Sequence, residues 1–211
     1  MKHRLSFRFR ATFVAAVAAL TSAGTAWAQP APAAGLDNGT NPTLISRVAE
    51  AKYEYLNLGQ GVRSGALRLN YLQPLGEKSD YAVRLRLPVQ MNNALGRDSY
   101  GFGDVSLLVL HVFGLTREQG FVWQLEANFD TASRPELGAG KHVLSPTFIY
   151  ARFLKGGDIF APAIKHSVSV GGDARRSDIN ATTLDFYYVP KLSDSRNLIT
   201  FDPAFTYDWE S

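Results

Sequence analysis

The chain has 211 residues, 45% of them hydrophobic and 19% charged, with no cysteine. That excludes a disulfide framework, thiolate catalysis and any Cys-based metal site. The formal net charge of +3 reflects 22 Lys+Arg against 19 Asp+Glu, yet Lys2, Arg4, Arg8 and Arg10 crowd the extreme N-terminus. Without those four, 18 basic residues face 19 acidic ones. The body of the chain is close to neutral, which argues against a nucleic-acid partner.

The basic stretch is followed by an apolar run from Ala11 to Leu20 and by small residues leading to Ala26-Trp27-Ala28. A charged n-region, an apolar h-region and an A-x-A site make residues 1–28 a cleaved secretory signal. The apolar run falls short of the roughly 20 residues that a spanning helix needs. Residues 29–42 (QPAPAAGLDNGTNP) are rich in Pro, Ala, Gly and Asn and read as a flexible periplasmic lead-in. No later segment is apolar for long enough to cross a bilayer as a helix, so a membrane location would require a closed sheet.

Residues 43–211 form one domain of alternating strands. In the segment Gly120 to Asp130, Phe121, Trp123, Leu125, Ala127 and Phe129 fall on one face, while Gln124, Glu126, Asn128 and Asp130 fall on the other. Period-two alternation of this length means one apolar side and one wet side. The same alternation recurs over 80–90, 160–170, 183–188 and 199–209. Weaker strands fit at 47–58, 64–73, 104–113 and 142–153, giving about nine. Short polar connections at 74–80, 115–120, 154–158 and 191–197 alternate with longer ones at 91–103, 131–142 and 171–180. The long connections recur about every 40 residues, wider than the 8–12-residue turn spacing of a β-sandwich. The expectation is an all-β, antiparallel up-and-down transmembrane β-barrel with short periplasmic turns and long outer loops. Nine strands would leave an unpaired edge, so the barrel is expected to be incomplete.

Arg84, Arg86, Glu126, Lys165, Asp185 and Asp202 share the polar faces of their strands and are the candidate lumen lining. Tyr53, Tyr55, Trp123, Phe129, Tyr207 and Trp209 lie near strand ends and are candidate interfacial aromatics. Pro88, Pro146 and Pro162 are expected near strand ends, whereas Pro203 conflicts with a regular last strand. The glycines of GFGD (101–104) and LGAGK (137–141) lack Walker spacing and open no helix, so they read as turn or bulge glycines. Asp104 is placed to bond local backbone where that loop re-enters a strand. His111, His142 and His166 are scattered without metal-ligand spacing. His166 and Ser167 point to opposite faces, and only His142 with Ser145 could meet near one rim. No enzyme activity, metal or cofactor is expected.

The motifs GFGD (101–104), FDTAS (129–133), LGAGK (137–141), GGDARRSDIN (171–180) and DWE (208–210) occur in this order over about half the chain. In that order the chain resembles the proteobacterial outer-membrane β-barrels labelled for the MetA-pathway of phenol degradation, also described as β-barrel porins. Asp130 stands where that family often has Pro, and Ser145 precedes Pro146 where Gly is common. Members run on past the DWE motif for further strands. The resemblance implies an outer-membrane pore or transport-like role and no catalytic residues. The expected function is passive diffusion of small, hydrophobic or aromatic solutes across the outer membrane, with lipid and solute as the partners. The alternatives are a non-conducting structural or adhesive barrel, and a soluble periplasmic β-sandwich that binds a ligand.

Overall fold

The computed structural model describes residues 6–7, 41–194 and 197–210. The expected signal cleavage site and nearly all of the lead-in lie outside the described residues. Eleven strands are present: β1 (Ser6–Phe7), β2 (Val48–Gly59), β3 (Val62–Leu75), β4 (Tyr81–Asn92), β5 (Ser99–Phe102), β6 (Ser106–Phe113), β7 (Gln119–Asn128), β8 (Lys141–Phe153), β9 (Ile159–Gly172), β10 (Asn180–Val189) and β11 (Ala204–Asp208). All belong to one antiparallel sheet in the order β1-β11-β10-β9-β8-β7-β6-β4-β3-β2, with β5 also on β4. From β2 onward the chain is an up-and-down meander, except that β5 and β6 both pair with β4. Among the described residues the sheet is open: β2 has no outer neighbour, and the outer side of β11 has only the two residues of β1.

The expected strand 104–113 is β6 in the structure, and a short strand, β5, precedes it inside the expected loop 91–103. β5 pairs with the loop-side half of β4 (Val89 to Asn92) and β6 with its turn-side half (Tyr81 to Arg86). The break spans 103–105, where Gly103 still donates to the carbonyl of Pro88 at 2.9 Å. A side chain at position 103 would collide with Gln90, so the interruption needs glycine there. Much of the expected loop 91–103 is therefore β-structure, hidden in the sequence because SYGF lacks alternation over a useful length.

The prolines are interior rather than terminal. Pro88 pairs opposite Arg68, Pro146 opposite Leu125, and Pro162 opposite Phe186. In the β8–β9 ladder, partners run from Leu144↔Val168 directly to Thr147↔Lys165, and from Ile149↔Ala163 to Arg152↔Phe160. The two gaps fall at Pro146 and Pro162, which have no N–H to give. Pro203 ends the expected strand 199–209 prematurely. Only the Tyr188↔Phe201 bridge precedes it, and continuous pairing begins at Ala204.

The register puts two unlike faces on the sheet. On one face Ala82, Leu108, Val122, Ala151, Ile159, Ala161 and Val189 are almost wholly buried, although no second layer of sheet or helix covers them. The sheet must therefore curl around this face. Its turn-side half is apolar and divides into two clusters, one on β4, β6 and β7 and one on β8, β9 and β10. Thr43 and Ile45, from the segment before β2, are buried in the first cluster. The convex face carries Leu67, Leu69, Leu85, Leu87, Val89, Leu107, Ile164 and Leu184, all exposed.

Candidate functional site: a polar cavity beneath a stitched loop

The loop-side half of the concave face is polar. Arg84 and Arg86 are two residues apart on β4, and Glu126 reaches them from β7 across β6, because Arg84 pairs opposite Leu108 and Leu108 opposite Glu126. One Glu126 oxygen lies 3.0 Å from Arg86 and 3.6 Å from Arg84, and accepts from the Ser106 hydroxyl at 2.8 Å. Glu126 is buried, with a residue exposure of 9%. A lone carboxylate so enclosed is costly unless paired, and here two guanidinium groups and a hydroxyl satisfy it. Arg86 also donates Nε to Asn70 at 3.2 Å, and Asn70 donates to Glu50 at 2.9 Å. On the neighbouring strands Glu54 pairs with both Lys52, at 3.2 Å, and Arg68.

Lys165 and Asp185 share this face as diagonal neighbours, since Lys165 pairs opposite Thr183. Both are half-buried. Asp202 does not share it. It sits exposed before Pro203, outside any strand, where the missing N–H has interrupted pairing. The sequence reading missed Arg68, Asn70, Lys52 and Glu54, although the parity of Arg68 and Asn70 against Leu67 and Leu69 carried the signal.

The six candidate aromatics lie at two levels of the sheet. Tyr53 and Tyr55 on β2 are exposed near the loop end, as are Phe129 and Trp209. Tyr207 and Trp209 meet edge to face at 4.6 Å, and the Trp209 indole donates to Thr182 at 3.1 Å. Trp123 lies nearer the turn side, opposite His111 and Phe148. Further aromatics gather there: Tyr81 stacks on His111 at 4.0 Å, and Phe113, Phe121, Phe148 and Tyr150 continue the group. His142 and Ser145 do not meet as a pair. Nδ1 of His142 accepts from the Asp130 N–H at 3.2 Å, and the Ser145 hydroxyl bonds Ser167 at 2.9 Å.

The connection 129–140 folds over the polar half and carries one 3-10 turn, Pro135–Leu137. Asp104 holds it. The Asp104 carboxylate accepts from the backbone N–H groups of Thr131, Ala132 and Ala139 at 3.1, 3.0 and 2.7 Å. The expectation of local bonding is thus corrected: all three partners lie in a loop distant in sequence. A Cβ at Gly138 would stand 2.5 Å from Ala132 and 2.6 Å from the Asp104 carboxylate, so this glycine of LGAGK allows a close approach, while Gly140, at φ +68°, serves the expected turn. Ser99 donates to Glu136 at 2.6 Å, and Asn92 to the Glu136 carbonyl at 3.2 Å. The Ser99 hydroxyl is the main reason that the Glu136 carboxyl titrates below its ordinary 4.5.

The next loop, 173–179, locks onto the first. Asp173 donates its N–H to the Gly140 carbonyl at 2.8 Å, and Arg176 donates to the Pro135 carbonyl. Buried Lys141 donates to Asp178 at 2.8 Å, which lowers the Asp178 carboxyl. Arg175 bonds the Asp173 carboxylate and brings it down to about 2.

Beneath loop 129–140 is a cavity of about 350 Å3, walled by Arg68, Arg86, Pro88, Gln90 and Asn128 from the sheet and by Glu136, Leu137, Gly138 and Ala139 from the loop, with Asp104 between. Comparison with family models, curated proteins and solved structures finds no match to this chain. The family resemblance therefore rests on the sequence motifs alone.

Proposed function

We propose that the chain forms the wall of an outer-membrane β-barrel that passes small solutes by passive diffusion. The observation that carries this reading is the inverted placement of polarity. The convex face is a continuous field of exposed Leu, Val, Ile and aromatic side chains, while ions and hydroxyls face inward. Soluble monomers rarely expose apolar patches beyond a few hundred Å2, whereas lipid requires such a face. The dimensions agree. Along β4, Tyr81 and Met91 are separated by roughly 34 Å at ~3.4 Å per residue. A strand tilt of about 40° brings this near the ~25 Å height of an outer-membrane apolar band. Aromatic residues border the band on both sides, as interfacial girdles do.

The solute path would start at the polar cavity under loop 129–140; the turn-side interior beyond it is packed, with Ala82, Ala151 and Ala161 at most 1% exposed. In lipid the edges of β2 and β11 must also be covered, because each unpaired backbone group costs several kcal/mol there. The second reading, a non-conducting structural barrel, draws support from Thr43 and Ile45, which fill the turn-side interior.

The test is reconstitution of the detergent-folded chain into a planar bilayer. Discrete conductance steps are expected. A folded, inserted protein that stays silent rules out the pore and leaves the structural barrel.

A further inference from the structure

Resting on the pore reading, we propose that the cavity beneath loop 129–140 is a binding station for a small carboxylate with a compact apolar body. The geometry of its wall selects that chemistry. Glu126 is shared by Arg84 and Arg86, and Glu54 by Lys52 and Arg68, so each carboxylate serves two cations. Arg86 commits Nε to Asn70 and Nη1 to Glu126, and Arg68 commits Nη1 to Glu54. Both guanidinium groups keep further N–H donors, and both line the cavity. Glu50, on the same face, accepts from Asn70 and lies within the field of Arg84.

The acidic groups on the loop side are already occupied. Asp104 accepts three backbone N–H groups, and Glu136 accepts the Ser99 hydroxyl. Two arginines thus bring unfilled donor capacity to the cavity. Gln90 and Asn128 add amides that make no side-chain hydrogen bond among the described residues. Pro88 and Leu137 stand on opposite walls, both buried. A forked guanidinium matches a carboxylate in shape as well as charge, which a neutral or cationic solute of equal size cannot exploit.

The experiment uses the full chain folded in detergent and three probes of nearly equal size: benzoate, benzamide and benzylamine. Calorimetric titration is expected to show saturable benzoate binding, with benzamide weaker by about tenfold or more, as loss of charge-assisted bonding implies, and benzylamine not binding. Arg68→Gln, which leaves the Arg84–Arg86–Glu126 group whole, should weaken benzoate by a similar factor without changing benzamide. Equal binding of the three probes, a preference for benzylamine, or an R68Q variant with wild-type benzoate affinity overturns the proposal. Parallel conductance records separate the two readings. Conductance without benzoate discrimination ends this inference alone; benzoate binding without conductance ends the pore and leaves the site.

Discussion

Asp104 is the residue on which the loop architecture turns. Its carboxylate is the acceptor for three backbone N–H groups of residues 131–139. Asp104→Ala is expected to destabilise the loop by about 2 kcal/mol, the usual cost of a lost hydrogen bond to a charged group. Thermolysin should then cut near Leu137, which is 1% exposed in the intact protein, and unit conductance should rise. Wild-type resistance to cleavage in that variant would deny Asp104 its holding role. Glu136 makes the same loop sensitive to acid. Its folded carboxyl lies below the ordinary 4.5 because Ser99 bonds the ionised form. The stabilisation is therefore complete above the unfolded value and is lost as pH falls through the lower folded value. The loop should stay closed at pH 7 and at pH 5, and loosen only in stronger acid. Pepsin cleavage at Leu137 across the acid range reads this out, and in Glu136→Gln the step with pH should disappear.

At the level of single strands, local alternation carries a great deal. The faces assigned to Tyr81–Asn92 and Gln119–Asn128 agree with the register, because side-chain parity is a local property of an extended chain. What parity cannot say is which medium each face meets. Leu85 decides between lipid and water. It sits mid-strand on the convex face, opposite Tyr71 and Leu107, and is 39% exposed. In a soluble sheet Leu85→Arg would be nearly neutral, as exposed substitutions usually lie within about 0.5 kcal/mol. In a bilayer the same change near the midplane costs about 2–4 kcal/mol. Denaturant titration of the variant in vesicles and in detergent should show the larger loss in vesicles. The strand breaks were less legible for a related reason. Pro203 announced itself, whereas the division at Gly103 depends on Gln90 of the neighbouring strand, a contact without a local signature.

At the scale of the molecule the sequence revealed the order and direction of the strands, and long-range contacts supplied the rest. The Glu126 group, the Asp104 clamp and the ties between the two loops join residues some 20 to 40 positions apart. Spacing along the chain does not encode such meetings; the curl of the sheet creates them. The same curl gives the segment before β2 a role that its composition concealed. Asn41 holds Thr43 by accepting from its N–H at 2.9 Å and its hydroxyl at 2.7 Å. This turn carries Ile45 among Ala82, Leu108, Leu110, Val112 and Val122. A Cβ on Gly120 would stand 2.9 Å from Thr43, so the segment lies tight against β7. A pore through this interior must pass beside that segment or displace it. Replacing Thr43 and Ile45 by glycine removes the side chains that fill the turn-side interior and leaves every strand intact. If the segment narrows the path, unit conductance should rise severalfold at unchanged heat-dependent gel mobility. If conductance is unchanged while the barrel stays folded, solutes do not cross the turn-side interior at this point. If mobility is lost instead, Ile45 serves as core, at about 2–5 kcal/mol for a buried Ile truncated to a small residue, and the conservative Ile45→Val, which keeps most of the packing, then separates gating from stability.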